Sequence, residues 1–144
     1  MMIVRQVSVF LENKPGRLCA ATDALAREGI NLSALTLADT SEFGILRLLV
    51  DQPERAKEVL AQNGIAARLT DVLAVAMDDS PGGAFGILHV LSEAGLNIEY
   101  IYACVGKTTG KALMVVRADD IELAAEILHN NGYGDVSPAE VYRL

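Results

Sequence analysis

The stretch Leu11-Glu12-Asn13-Lys14-Pro15-Gly16-Arg17-Leu18 decides the reading of this chain, because it returns as Met77-Asp78-Asp79-Ser80-Pro81-Gly82-Gly83-Ala84. A hydrophobic run precedes each copy and a helix-like pattern follows it. Proline has no amide hydrogen to lose and its φ is already helical, so Pro15 and Pro81 suit the first helical position. Ser80 is then well placed as an N-cap, and its counterpart Lys14 is a poor one. The glycine that follows has no side chain, so a ligand could approach the backbone closely. Free N–H groups at a helix start favour a carboxylate or another anion. Two readings stand side by side: the floor of a small-molecule site, or a plain helix start. Repetition in the same context favours the first.

Working outward, Pro81-Gly82 follows Pro15-Gly16 by 66 positions, and Gly95-Leu96-Asn97 follows Gly29-Ile30-Asn31 by the same interval. Gly110 keeps that offset from Gly44, as does Met114-Val115-Val116 from Leu48-Leu49-Val50. Ala124 to Leu128 then matches Ala56 to Leu60 at 68, as does Asn131-Gly132 with Asn63-Gly64. Two residues added near Asp119-Asp120 would account for the change. A register this steady argues for a duplicated domain. The expected domains are 1–70 and 71–144, with no Gly/Ser-rich linker between them.

In the first copy, Ile3 to Leu11 reads as a strand, and Leu18, Ala21, Thr22 and Leu25 lie on one helix face. Gly29 ends that helix. Asn31 opens a second strand, Ile45 to Val50 is a third, Pro53-Glu54-Arg55 starts a second helix, and Ile65 to Leu69 is a short fourth strand. The second copy runs likewise: Val72 to Met77, a helix ending at Gly95, Asn97 to Val105, Ala112 to Arg117, a helix from Ile121 to His129, and a last strand over Ala139 to Arg143. Each copy is β-α-β-β-α-β, the ferredoxin-like α+β arrangement with two helices on one face of a four-stranded antiparallel sheet.

Composition excludes several function classes. The 144 residues are 51% hydrophobic, enough for a core and against disorder. A formal net charge of −7 opposes nucleic acid and anionic membrane as partners, and few aromatics remain to stack bases. No apolar run reaches the ~18 residues of a membrane span, and no leader opens the chain, so a cytoplasmic protein is expected. Cys19 and Cys104 are expected as buried free thiols in a reducing compartment. No metal-ligand spacing stands out and no cofactor is expected.

A hydrophobic strand, then Glu-Asn-Lys-Pro-Gly-Arg-Leu, a helix and Gly-Ile-Asn-Leu resembles the ACT domain, a small ligand-binding module often attached to enzymes of amino-acid metabolism. The resemblance covers both copies, and it implies a free-standing tandem ACT protein whose domains pack side by side as a pseudo-dimer. In amino-acid-binding ACT pairs the ligand lies at the seam of two domains. The resemblance carries the ligand-binding role onto Asn13 with Asn97 for one site and Asp79 with Asn31 for the other, beside the turns Pro15-Gly16 and Pro81-Gly82. An Asn amide offers donors and an acceptor, which suits a zwitterion without adding a charge to desolvate.

Bland readings stay open for these residues: Asn31 and Asn97 could satisfy the turn after a helix, and Asn13 could serve as a cap. An ionised Asp79 would repel a ligand carboxylate, so the two sites should be unequal, with the Asn13–Asn97 site binding an amino acid better. Tyr100 and Tyr102 could line a pocket or pack.

Three functions compete. The first is a non-catalytic sensor of a small amino acid, acting on an unidentified enzyme partner or on its own assembly, with a homodimer expected. The second is a small enzyme of the acyl-phosphate hydrolysis type, for which the sequence offers no nucleophile with an orienting base; no catalytic residue is assigned. The third is a scaffold with vestigial sites.

Overall fold

A computed structural model describes residues 3–38, 42–105 and 110–134 of the chain. They form two compact units: one is Arg5–Thr70, and the other begins at Asp71 and takes in Ile3 and Val4.

The first unit follows the expected order. Strand β1 (Ile3–Glu12) leads to helix α1 (Arg17–Arg27), strands β2 (Leu32–Ala38) and β3 (Phe43–Val50), helix α2 (Pro53–Gln62) and the start of β4 (Ala67–Asp78). Its strands lie in the order β2-β3-β1-β4. Alternation places Val7, Val9, Leu11, Leu46 and Leu48 on the face that also holds Ala21, Leu25, Ala56 and Leu60 from the helices, and all of these are buried in one cluster. Burying a valine or leucine side chain stabilises a fold by about 1.5–3 kcal/mol.

The second unit repeats the plan with the rest of β4, α3 (Gly83–Glu93), β5 (Ile98–Val105), β6 (Lys111–Ala118) and α4 (Ile121–Asn130). Its cluster is built from Leu73, Val75, Ile87, Leu91, Met114, Val116, Ala124 and Leu128. Ile87 and Leu91 stand 66 positions after Ala21 and Leu25, so α3 buries the same face as α1. The expected strand over Ala139 to Arg143 and the turn at 106–109 lie outside the described residues.

Four expectations are corrected. The helices do not start at the prolines: Pro15 and Pro81 lie in turns, and α1 and α3 begin at Arg17 and Gly83. Ser80 is not the N-cap; Gly82 holds that position, and no side chain caps the helix. The two strands expected around Thr70-Asp71 are one, β4, because no proline or glycine interrupts Ala67 to Asp78.

The fourth correction concerns the inserted residues. Val7 pairs with Leu48 and Leu11 with Gly44, while Leu73 pairs with Val116 and Met77 with Ala112. The structural partner of Gly44 is therefore Ala112, and β3 and β6 already differ by 68. The addition falls between β5 and β6, ahead of β6 and not near Asp119-Asp120. Sequence matching missed this because a slip of two residues returns every side chain of a strand to its own face.

Candidate ligand site

The Pro-Gly stretch folds into the same turn in both copies. Arg17 N–H donates to Lys14 O at 3.3 Å and Gly83 N–H to Ser80 O at 3.0 Å. Gly16 has φ 86° and ψ −13°, Gly82 φ 88° and ψ −6°. A type II turn has its third residue near +80°, 0° and favours Pro before it. Glycine is thus required first by the backbone: an L side chain here would meet the left-handed penalty of roughly 1–2 kcal/mol. Gly16 O and Gly82 O then accept from Ala20 and Gly86 N–H to begin the helices.

At the turn of the first unit, Asn13, Lys14, Leu11, Leu18, Leu37 and Gly44 border a cleft of about 130 Å³. That is smaller than the ~300–1,000 Å³ of a pocket that encloses a ligand. The Asn13 N–H is held by Glu42 O at 2.8 Å, and the equivalent Asp79 N–H by Gly110 O at 2.8 Å.

The electrostatics of the two turns differ. Glu12 pairs with Lys14 at 3.0 Å. The hydrogen bond from Lys14, its charge and that of Arg17 hold the Glu12 carboxyl below the usual carboxylate range. Glu12 and Glu42 stand with Lys14 and Arg17 at this turn, two negative charges against two positive. In the second copy Asp78 pairs with Lys111 on β6, which leaves Asp78, Asp79 and Lys111 with two negative charges against one positive. The first turn is balanced and the second carries a net negative charge, so a negative group meets more repulsion at the Asp79 turn than at the Asn13 turn.

Asn31 and Asn97 occupy a second kind of position. Asn31 N–H donates to Asp51 Oδ1 at 3.1 Å, and Asp51 N–H returns a bond to Asn31 O at 3.3 Å. Asn97 and Asp119 repeat this clasp at 3.1 Å and 3.1 Å. The clasp pins the backbone of each asparagine, and both residues are exposed. Neither side-chain amide is tied to another described residue. Asp51 and Asp119 were missed in the sequence reading; an Asp 20 residues after Asn31 and another 22 after Asn97 were the available signal.

Asn31 also borders an open cleft of about 430 Å³ along the outer face of α1, with Cys19, Thr22, Asp23 and Ala26 on its wall. Within the first unit the structure brings together Asn13, Pro15 and Gly16, and places Asn31 beyond the far end of α1. Eleven helical residues span about 16 Å. The second unit likewise groups Asp79, Pro81 and Gly82 before α3 and sets Asn97 after it. Each unit therefore carries its Pro-Gly turn and its clasped asparagine at opposite ends of a helix.

Other candidates resolve as follows. Cys19 is exposed, against expectation, because it lies on the outer face of α1; Cys104 is half-buried and burial pushes its thiol up. Tyr100 and Tyr102 are half-buried on β5. No group of three or more His, Cys, Asp or Glu among the described residues could hold a metal ion. No helix among them is long and apolar enough to cross a membrane.

Comparison with known proteins places these features. No curated protein matches the chain. Among solved structures, protein BT0572 from Bacteroides thetaiotaomicron is similar, with 37% identity, a TM-score of 0.92, and 99% of this chain and 98% of that one covered. The regulatory subunit of aspartate kinase from Thermus thermophilus, in a ligand-free form, shares the fold at 19% identity with a TM-score of 0.64, over 92% of this chain and 98% of that one. The corresponding subunit from Thermus flavus does so at 19% and 0.59, over 90% and 96%. The model of the ACT domain pair matches residues 2–142, and the chain belongs to that family.

Proposed function

We propose that this chain is a non-catalytic regulatory protein that binds an amino acid where the turn half-site of one ACT unit meets the asparagine half-site of another. The observation that carries the reading is the duplicated clasp, which holds Asn31 and Asn97 by their backbones and leaves both amides available. A zwitterion needs donors and acceptors together, and an amide supplies both. The pairing of Asn13 with Asn97, and of Asp79 with Asn31, is part of this proposal, as are the domain limits 1–70 and 71–144. The Asn13 turn, without the net negative charge of the Asp79 turn, takes the ligand carboxylate, and the site built on Asp79 is the weaker.

A cytoplasmic protein that forms a homodimer and acts on a metabolic enzyme fits this reading. Likeness to aspartate kinase regulatory subunits supports a regulatory role, and the partner enzyme follows from pull-down with ligand present and absent. Thermal shift of the full chain against the twenty amino acids tests the binding itself. A rise in Tm with one or a few amino acids, lost in Asn13→Ala and Asn97→Ala, is the expected result. No shift with any amino acid, together with turnover of an acyl phosphate, would favour an enzyme instead.

A further inference from the structure

On the outer face of α3 the rings of Phe85 and His89 stack, with centroids 5.3 Å apart and planes 25° from parallel. Phe85 is 67% exposed. An exposed ring held against its neighbour in this way buries little of its own, so the fold gains little from it.

Its position gives it meaning. The helices α1 and α3 correspond residue for residue at 66, and they bury the same face. Phe85 therefore stands where the first copy has Cys19, and His89 where it has Asp23. Cys19 and Asp23 line the open cleft that Asn31 borders. Asn97 is the counterpart of Asn31 and is held by the same clasp. The wall beside Asn31 is thus a small thiol and a carboxylate, the latter paired with Arg27 at 3.0 Å. At the corresponding positions of α3, the helix that Asn97 follows, stand two stacked aromatic rings.

We infer that Phe85 and His89 determine specificity at the Asn97 half-site, which takes an amino acid with a planar aromatic side chain. This rests on the amino-acid reading above. The head group sits at the Asn97 amide and the ring extends along α3 onto the stacked pair. A ring–ring contact adds attraction beyond the area it buries, which an aliphatic side chain of similar size does not gain. The Asn31 half-site, with Cys19 and Asp23 in these places, has no such preference.

The test is calorimetric titration of the full chain with L-phenylalanine and, separately, L-leucine. The variants are Asn97→Ala and the double change Phe85→Cys with His89→Asp, which installs the residues of the first copy. Wild type should bind phenylalanine more tightly than leucine. The double variant should lose about three- to tenfold in phenylalanine affinity, in line with the strength of aromatic pairs, and less than about twofold for leucine on the same scale. Asn97→Ala should weaken both. If phenylalanine and leucine bind equally to wild type, or fall together in the double variant, the inference is overturned while amino-acid binding stands. If wild type binds no amino acid at all, both readings fall. If the double variant changes the oligomeric state and not phenylalanine affinity, the pair is a contact between chains and the inference is overturned.

Discussion

The hydroxyl of Tyr133 lies only 2.8 Å from where a Cβ on Gly86 would stand. Tyr133 packs against the core of its unit, and the first copy has Ile65 and Ala20 at the matching positions. A large residue on one element and a missing methyl on the other fill one space in two ways. Alanine in place of a helical glycine normally gains about 1 kcal/mol. Gly86→Ala should forfeit most of that gain in wild type and recover it in a Tyr133→Ile background. A double-mutant cycle by urea denaturation should show coupling of about 1 kcal/mol; additive effects would contradict it.

Gly83 and Arg17 hold the same place in the two copies and tolerate change differently. A Cβ on Gly83 would meet the carbonyl oxygen of Asp78 at 1.9 Å, and that oxygen is backbone. Gly83→Ala should cost about 2 kcal/mol or more, as overpacking against an immobile group does. Arg17→Ala, at an exposed position, should change stability by less than about 0.5 kcal/mol. Thermal or urea unfolding of the two variants checks the contrast.

The clasp can be read by hydrogen exchange. Asp119→Ala removes the acceptor for Asn97 N–H and for Asp120 N–H, which donates to the same oxygen at 3.0 Å. The Asn97 amide should exchange faster, stability should fall by about 1 kcal/mol, and ligand affinity should weaken. Asp119→Asn keeps an oxygen acceptor and should lie between the two.

Glu12 supplies a pH dependence of known sign. Its folded pKa is lowered by the bond to Lys14, then by the charges of Lys14 and Arg17. Such a group favours the folded state above its unfolded pKa, and the contribution is lost as pH falls through the lower folded value. A carboxyl-detected NMR titration should place its midpoint below that of an ordinary Glu. Lys14→Ala, or high salt, should move it up.

The cysteines should differ in reactivity. Cys19 is exposed, whereas burial raises the pKa of Cys104 and keeps it protonated. Iodoacetamide at neutral pH should label Cys19 first and Cys104 slowly, as followed by mass spectrometry. Equal rates would show that Cys104 is more open than its burial indicates.

The duplicated order of strands and helices was legible because apolar periodicity and glycine stops state it twice. The left-handed turn was legible as Pro-Gly, but its detail was not. Proline suits both the first helical residue and the second position of a type II turn, so only the φ of Gly16 and Gly82 separates the two. That β4 runs on through Thr70 was hidden because Asp71 reads as a break, a residue type depleted in strands, while no proline or glycine marks a true turn there. Exposure of Cys19 was missed since one small residue on a helix says little about its face. The clasp escaped because Asp51 and Asp119 act on backbone atoms far away in sequence, which no local pattern encodes.

Strand β4 has a consequence for dissection of the molecule. Dividing the gene at the midpoint of the repeat would cut at Thr70-Asp71, in the middle of a strand whose first residues belong to one unit and whose later residues belong to the other. A vector that expresses either half should therefore carry the whole of Ala67–Asp78, so that the new chain end falls outside the strand.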